Sequence, residues 1–144
     1  MNAESTTAGL WQVREYDAAH DAVMVCAWWA AHGEGRFPLG LLPPTGLVAE
    51  VGGKPVAACW LYMALGVGLC WLEWPVSIPG LALSESREAF TKLVEAMEVV
   101  ARAHNYPVMI AHTLPPIARM MKGMGFAVES RLKITVVKEV AHGG

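Results

Sequence analysis

Cysteine is scarce in this chain: Cys26, Cys59 and Cys70 make an odd count with no C-x-x-C spacing. That pattern argues against a disulfide framework and a thiolate zinc site, and fits reduced thiols in a cytoplasmic protein. Charge is sparse as well. Charged residues are 17% of the 144, and 11 basic against 13 acidic residues leave a formal net charge of -2. A disordered linker would carry more charge and fewer of the apolar residues that reach 54% here. A dedicated nucleic-acid binder would show a basic surplus, so that class of partner is disfavoured. An unbroken apolar run of membrane-spanning length is also missing. The nearest, residues 56–76, is interrupted by Tyr62, Gly66, Gly68, Glu73 and Pro75. Two buried strands and a turn account for it better than one helix, and no membrane contact is expected. The first nine residues, MNAESTTAG, are polar and lack the regions of a signal peptide. No Walker loop, nucleophile elbow or metal-ligand spacing of His and Cys stands out, so no metal is expected.

What is present reads as one domain over residues 1–144, long enough to bury a core. Residues 10–16 alternate as a first strand, and Asp17 caps a helix over 18–31 that Gly33 and Gly35 end. Residues 36–45 hold too much proline and glycine for regular structure. Two apolar runs, 47–51 and 55–65, meet at Gly52-Gly53-Lys54, where paired glycines supply the positive φ of a tight hairpin turn. Gly66 and Gly68 turn the chain into a third strand, 69–76. A helix capped by Ser84 or Ser86 then runs to about His104, with Ala89, Phe90, Leu93, Val94, Met97, Val100 and Ala101 as its apolar stripe. A short strand at 108–111, a short helix at 115–123 and a last strand at 127–140 complete the order. The third strand, the long helix and the 108–111 strand form a β-α-β unit, which sets those two strands parallel. The class is α/β, a mixed sheet in the order β-α-β-β-β-α-β-α-β.

That order resembles the GNAT superfamily of acyl-CoA-dependent N-acyltransferases. The stretch Ile117-Ala118-Arg119-Met120-Met121-Lys122-Gly123-Met124-Gly125-Phe126 looks like the family's late helix with its Gly-Phe end. The run Val48-Ala49-Glu50-Val51-Gly52-Gly53-Lys54-Pro55-Val56-Ala57 is similar to its central hairpin. Two positions depart from the pattern. Residues 78–87 hold one glycine, Gly80, and one basic residue, Arg87, where the family has an Arg or Gln followed by spaced glycines. Met121 stands where many members carry a tyrosine that protonates the leaving thiolate.

The resemblance implies a GNAT-like fold with a splayed parallel strand pair, acetyl-CoA as co-substrate and transfer to a primary amine on a small molecule or protein. Backbone near Trp74, Val76 and Ile78 would hold the thioester arm, because Pro75 removes a ladder donor and favours a bulge; alternatively Pro75 ends the strand. The helix start at Ser84, Ser86 and Arg87 would cradle the phosphates, since free N–H groups and the helix dipole attract anions. Glu73, alone in an apolar strand, is the candidate base, with His112 at the end of the next strand as the alternative. Trp28, Trp29 and His32 lie where the family shapes its acceptor site, although core packing or a contact within a homodimer would use the same aromatics. Two other readings remain at this point: a GNAT-fold binding or assembly module without catalysis, and a nucleotide- or DNA-modifying enzyme.

Overall fold

The computed structural model describes residues 10–113, 115–129 and positions 136, 138 and 140. The chain divides into two compact units, Met1–His112 and Thr113–Gly144.

The first unit holds β1 (Trp11–Glu15), α1 (Ala18–Ala31), β2 (Gly46–Val51), β3 (Lys54–Met63), β4 (Leu69–Ser77), α2 (Leu83–Ala103) and β5 (Val108–Ala111). The strands lie side by side in chain order, the first four antiparallel and β5 parallel to β4. Short turns force β2–β3 and β3–β4 antiparallel, whereas β1 reaches β2 through α1. Gly52 (φ 58°) and Gly53 (φ 77°) make the β2–β3 turn in a conformation that other residues rarely adopt. The parallel pair is joined through α2, as a β-α-β crossover requires.

Each face of the sheet is covered by one helix. Ala89, Leu93, Val94, Met97 and Ala101 are the buried stripe of α2, which lies against β2 and β3. On the other face Val25 and Trp28 of α1 pack with Phe37, Val48, Ala58, Trp60 and Val76. Trp60 is completely buried, and it needs a glycine beside it: a Cβ on Gly46 would fall 2.6 Å from the Trp60 ring and 3.0 Å from the Tyr16 Cβ. Cys59 lies in the apolar interior, where burial pushes its thiol up to about 12.

A polar staple fixes α1 on the sheet. Asp17 caps the helix by accepting from the Ala19 N–H at 3.1 Å, as its residue type foretells. Asp21, one turn on and fully buried, accepts both guanidinium N–H groups of Arg14 on β1 at 2.8 and 2.9 Å, and the Asp17 N–H at 2.9 Å. Arg14 also reaches Glu50 on β2 at 3.3 Å. The Arg14 hydrogen bonds hold the Asp21 carboxyl well below the usual carboxylate range despite its burial.

The second unit contains α3 (Pro115–Lys122), followed by a turn in which the Phe126 N–H bonds back to the Met121 carbonyl at 3.1 Å with Gly125 at φ 97°. Such a left-handed end is the reason for the Gly-Phe pair seen in the sequence. The last strand expected at 127–140 falls mostly outside the described residues. No helix among the described residues is long and apolar enough to cross a membrane.

Candidate active site

The site is built around a defect in β4. Cross-strand register pairs Ala58 with Val76 but Trp60 with Glu73, so Trp74 and Pro75 together oppose Cys59. This is a β-bulge, and Pro75 sits in it because a residue without an N–H breaks no ladder bond there. The alternative, that Pro75 ends the strand, does not hold: β4 continues to Ser77. Trp74 takes a left-handed backbone, φ 57°, at a cost of about 1–2 kcal/mol for an L-residue. Its side chain keeps it there. The indole N–H donates to the Tyr62 hydroxyl at 2.8 Å, and the ring packs edge-on against Trp29 (5.9 Å between centroids) and Phe37 (6.4 Å).

Just before the bulge, β4 loses its parallel neighbour. The β4–β5 ladder runs from Leu69–Val108 to Leu72–Ala111 and goes no further, so Glu73–Ser77 continues without β5. The direction of its free groups follows from one hydrogen bond. The Ile78 N–H donates to the Val56 carbonyl at 2.8 Å and therefore points towards β3. Backbone groups on adjacent strand residues face opposite edges, so the N–H and C=O of Ser77 face the open side. This corrects the expectation for Ile78: its N–H is already used and cannot hold an acyl arm. Ser77 presents the unpaired N–H of this edge instead, and the sequence did not show it because the direction of a backbone group leaves no mark in residue type. Counting strand alternation onward from the Pro75 bulge was the available signal. The Val76 side chain is buried in the core. His32, which ends α1, lies 2.8 Å from the Ser77 carbonyl through Nε2; a carbonyl only accepts, so Nε2 carries the proton.

At the parting of the two strands stand the two base candidates. Glu73 Oε1 and His112 Nδ1 are 3.3 Å apart, and both side chains reach solvent, 28% and 49% exposed. With Nδ1 donating to the carboxylate, the Nε2 lone pair of His112 is left free to accept a proton. The two were expected as alternatives; the fold makes them a pair.

The opposite end of β4 leads into α2. The helix begins at Leu83, and its cap position is Ala82, which makes no side-chain capping bond. Neither Ser84 nor Ser86 caps it, contrary to expectation: both lie inside the first turn, where the Ser86 N–H already bonds to the Ala82 carbonyl at 2.8 Å. The first-turn N–H groups are thus without a side-chain acceptor, with the Ser84 hydroxyl and Arg87 on exposed positions beside them. An uncapped helix start of this kind suits a phosphate.

The three expected acceptor-side residues separate. Trp28 is a core residue, 6% exposed. It therefore frames no acceptor. Trp29 is half-buried, edge-on to both Phe37 and Trp74, and donates its indole N–H to the Glu34 carbonyl at 3.1 Å. His32 faces the open edge of β4. Among the described residues no group of three or more His, Cys, Asp or Glu is placed to hold a metal ion.

A five-stranded mixed sheet with a bulged fourth strand, a parallel fifth and a helix on each face is a GNAT-like fold, the fold of solved acetyltransferases. Known structures of that kind superpose on the chain. An aminoglycoside acetyltransferase from an uncultured soil metagenomic sample, solved with sisomicin, matches at TM-score 0.68 and 9% identity over 91% of this chain and 97% of its own. The aminoglycoside N-acetyltransferase AAC(6')-Iy, in complex with CoA, matches at TM-score 0.59 and 16% identity over 88% and 99%. An acetyltransferase from Trypanosoma brucei gives TM-score 0.59 and 11% identity over 88% and 99%. No protein-family model matches the chain, and no curated protein matches it significantly by sequence.

Proposed function

We propose that this chain is an acyl-CoA-dependent N-acyltransferase that moves an acetyl group from acetyl-CoA to a primary amine by direct attack in a ternary complex. The observation that carries the reading is the Glu73–His112 pair, set where β4 and β5 part and next to the bulge at Trp74. The open N–H of Ser77 suits a carbonyl of a pantetheine arm, which would continue the sheet in place of β5. The uncapped start of α2 suits the phosphates, with Ser84 and Arg87 beside it. In the reaction the amine nitrogen bonds to the thioester carbon and the C–S bond breaks. The ammonium proton passes to the Glu73–His112 pair, and the thiolate takes its proton from solvent. Holding amine and thioester together supplies much of the acceleration.

The test is a calorimetric titration with acetyl-CoA followed by a thiol-release assay over a panel of amines. Saturable binding, and a loss of about 100-fold in kcat for Glu73→Gln, are the expected results. Absence of binding at millimolar acetyl-CoA would overturn the reading. That result would favour a second one, a binding or assembly module on this fold, to which the single glycine in residues 78–87 also points.

A further inference from the structure

The face of the sheet that carries Glu73 also carries two aromatic rings that the transfer chemistry does not use. Register pairs Tyr62 with Trp71 and Trp60 with Glu73 across β3 and β4, and Trp71 with Ile110 across β4 and β5. Paired residues share a face, so Tyr62, Trp71, Glu73 and Ile110 lie together, and His112, two residues past Ile110, extends the row. The Tyr62 and Trp71 rings are stacked, with centroids 5.4 Å apart and planes 6° from parallel, and both are half-buried. Tyr62 is tied at its far end: its hydroxyl donates to the Leu41 carbonyl at 2.7 Å and accepts from the Trp74 indole. A pair held this way needs little ordering when something settles on it.

Charge along β4 and β5 is minimal. Glu73 is the one acidic residue in β4 and β5, and neither strand contains Lys or Arg. Side chains two apart on a strand are about 6–7 Å from each other, which places the Trp71 ring one short tether away from the carboxylate. One carboxylate beside stacked rings complements one ammonium on a flat apolar body. A polycation would leave most of its charges without partners here.

We infer that the acceptor is a monoamine carried on a flat ring, with the ring against Trp71 and Tyr62 and the ammonium at Glu73. The inference rests on the acyltransferase reading for the fate of the amine, but the binding it describes does not need acetyl-CoA. The test therefore begins with calorimetric titration of the whole protein, without acetyl-CoA, by 2-phenylethylamine, butylamine and sisomicin. 2-Phenylethylamine binds on the order of tenfold more tightly than butylamine. Trp71→Ala abolishes that preference, Trp71→Phe retains it, and Glu73→Gln weakens both amines. The Phe variant separates loss of the ring from loss of folding. Equal affinity for the two monoamines, tightest binding of sisomicin, or an unchanged preference in Trp71→Ala would overturn the inference. The same amines then enter the thiol-release assay. Ring preference in binding without turnover sinks the acyltransferase reading and keeps the inference; turnover without ring preference does the reverse.

Discussion

At Trp74 the usual ranking of alanine and glycine in a strand is expected to invert. In an ordinary strand glycine is worse than alanine by roughly 0.5–1 kcal/mol, because it has more chain freedom to lose. Trp74 has φ 57°, where any Cβ is strained and glycine is not. Both substitutions remove the same indole, which is half-buried against Trp29 and Phe37 and hydrogen-bonded to Tyr62. Full truncation of a core aromatic costs about 3–5 kcal/mol, so partial burial brings the shared loss to about 2–3 kcal/mol. On top of that, Trp74→Ala keeps the left-handed strain of about 1–2 kcal/mol and Trp74→Gly sheds it. The glycine variant should therefore be the more stable by about 1 kcal/mol, after its own entropy cost is deducted. Urea denaturation of the two variants side by side measures the difference, and equal m-values confirm that it is one of stability. If Trp74→Ala equals or exceeds Trp74→Gly in midpoint, the bulge is not left-handed at this residue and the description of the site falls with it.

Asp21→Asn removes a buried carboxylate from Arg14; breaking such a pair costs about 3–5 kcal/mol, and since Arg14 is partly exposed and keeps Glu50, about 3 kcal/mol or roughly 10 °C in Tm is expected. Because the folded Asp21 carboxyl titrates below its unfolded value of about 3.9, its contribution is complete above that pH and declines as acid is added towards the folded value. Stability curves from pH 7 to 3 should accordingly fall more gently in the variant than in the parent; parallel curves would refute the assignment. Gly46→Ala drives a methyl into the buried Trp60 ring and should cost about 2 kcal/mol in chemical denaturation, and a neutral outcome would mean that the strand shifts freely. His32→Ala frees the Ser77 carbonyl for a pantetheine arm, so calorimetry should show acetyl-CoA binding tightened, on the order of a few-fold for one neutral hydrogen bond; weakened binding would show that His32 helps to hold the ligand.

Much of the fold could be read from periodicity and punctuation. Asp17, Gly33 and the Gly52-Gly53 pair announced their elements because each supplies a local conformation or acceptor that few residues provide. The stripe of α2 was legible for the same reason, since burial on one helical face leaves its spacing in the sequence. The Pro75 bulge was legible as one of two options. What stayed hidden depended on pairing across the sheet. Nothing in the sequence says that Glu73 and His112, 39 positions apart, meet, because that contact is set by the parallel register of β4 and β5. Asp21 drew no notice as a buried staple because an acidic residue in a first helical turn is ordinary until Arg14 is seen beneath it. Trp28 and Trp29 look alike in the sequence, yet a rotation of 100° along one helix makes one a core residue and leaves the other at the edge of the site.

The meeting of Glu73 with His112 also has a place in time. Strands β2 to β4 follow one another along the chain through short turns, and their hairpins can close within microseconds. The β4–β5 ladder has four residue pairs and is reached only after the 21-residue helix α2 has been laid across the sheet. Contacts of that sequence separation form late and, when few in number, open first. The amides of β5 are thus expected to exchange with solvent faster than those of β3, through an opening that separates Glu73 from His112 while the two hairpins of β2 to β4 stay intact. The pair that completes the site is in this sense made after the hairpins beside it and released before them.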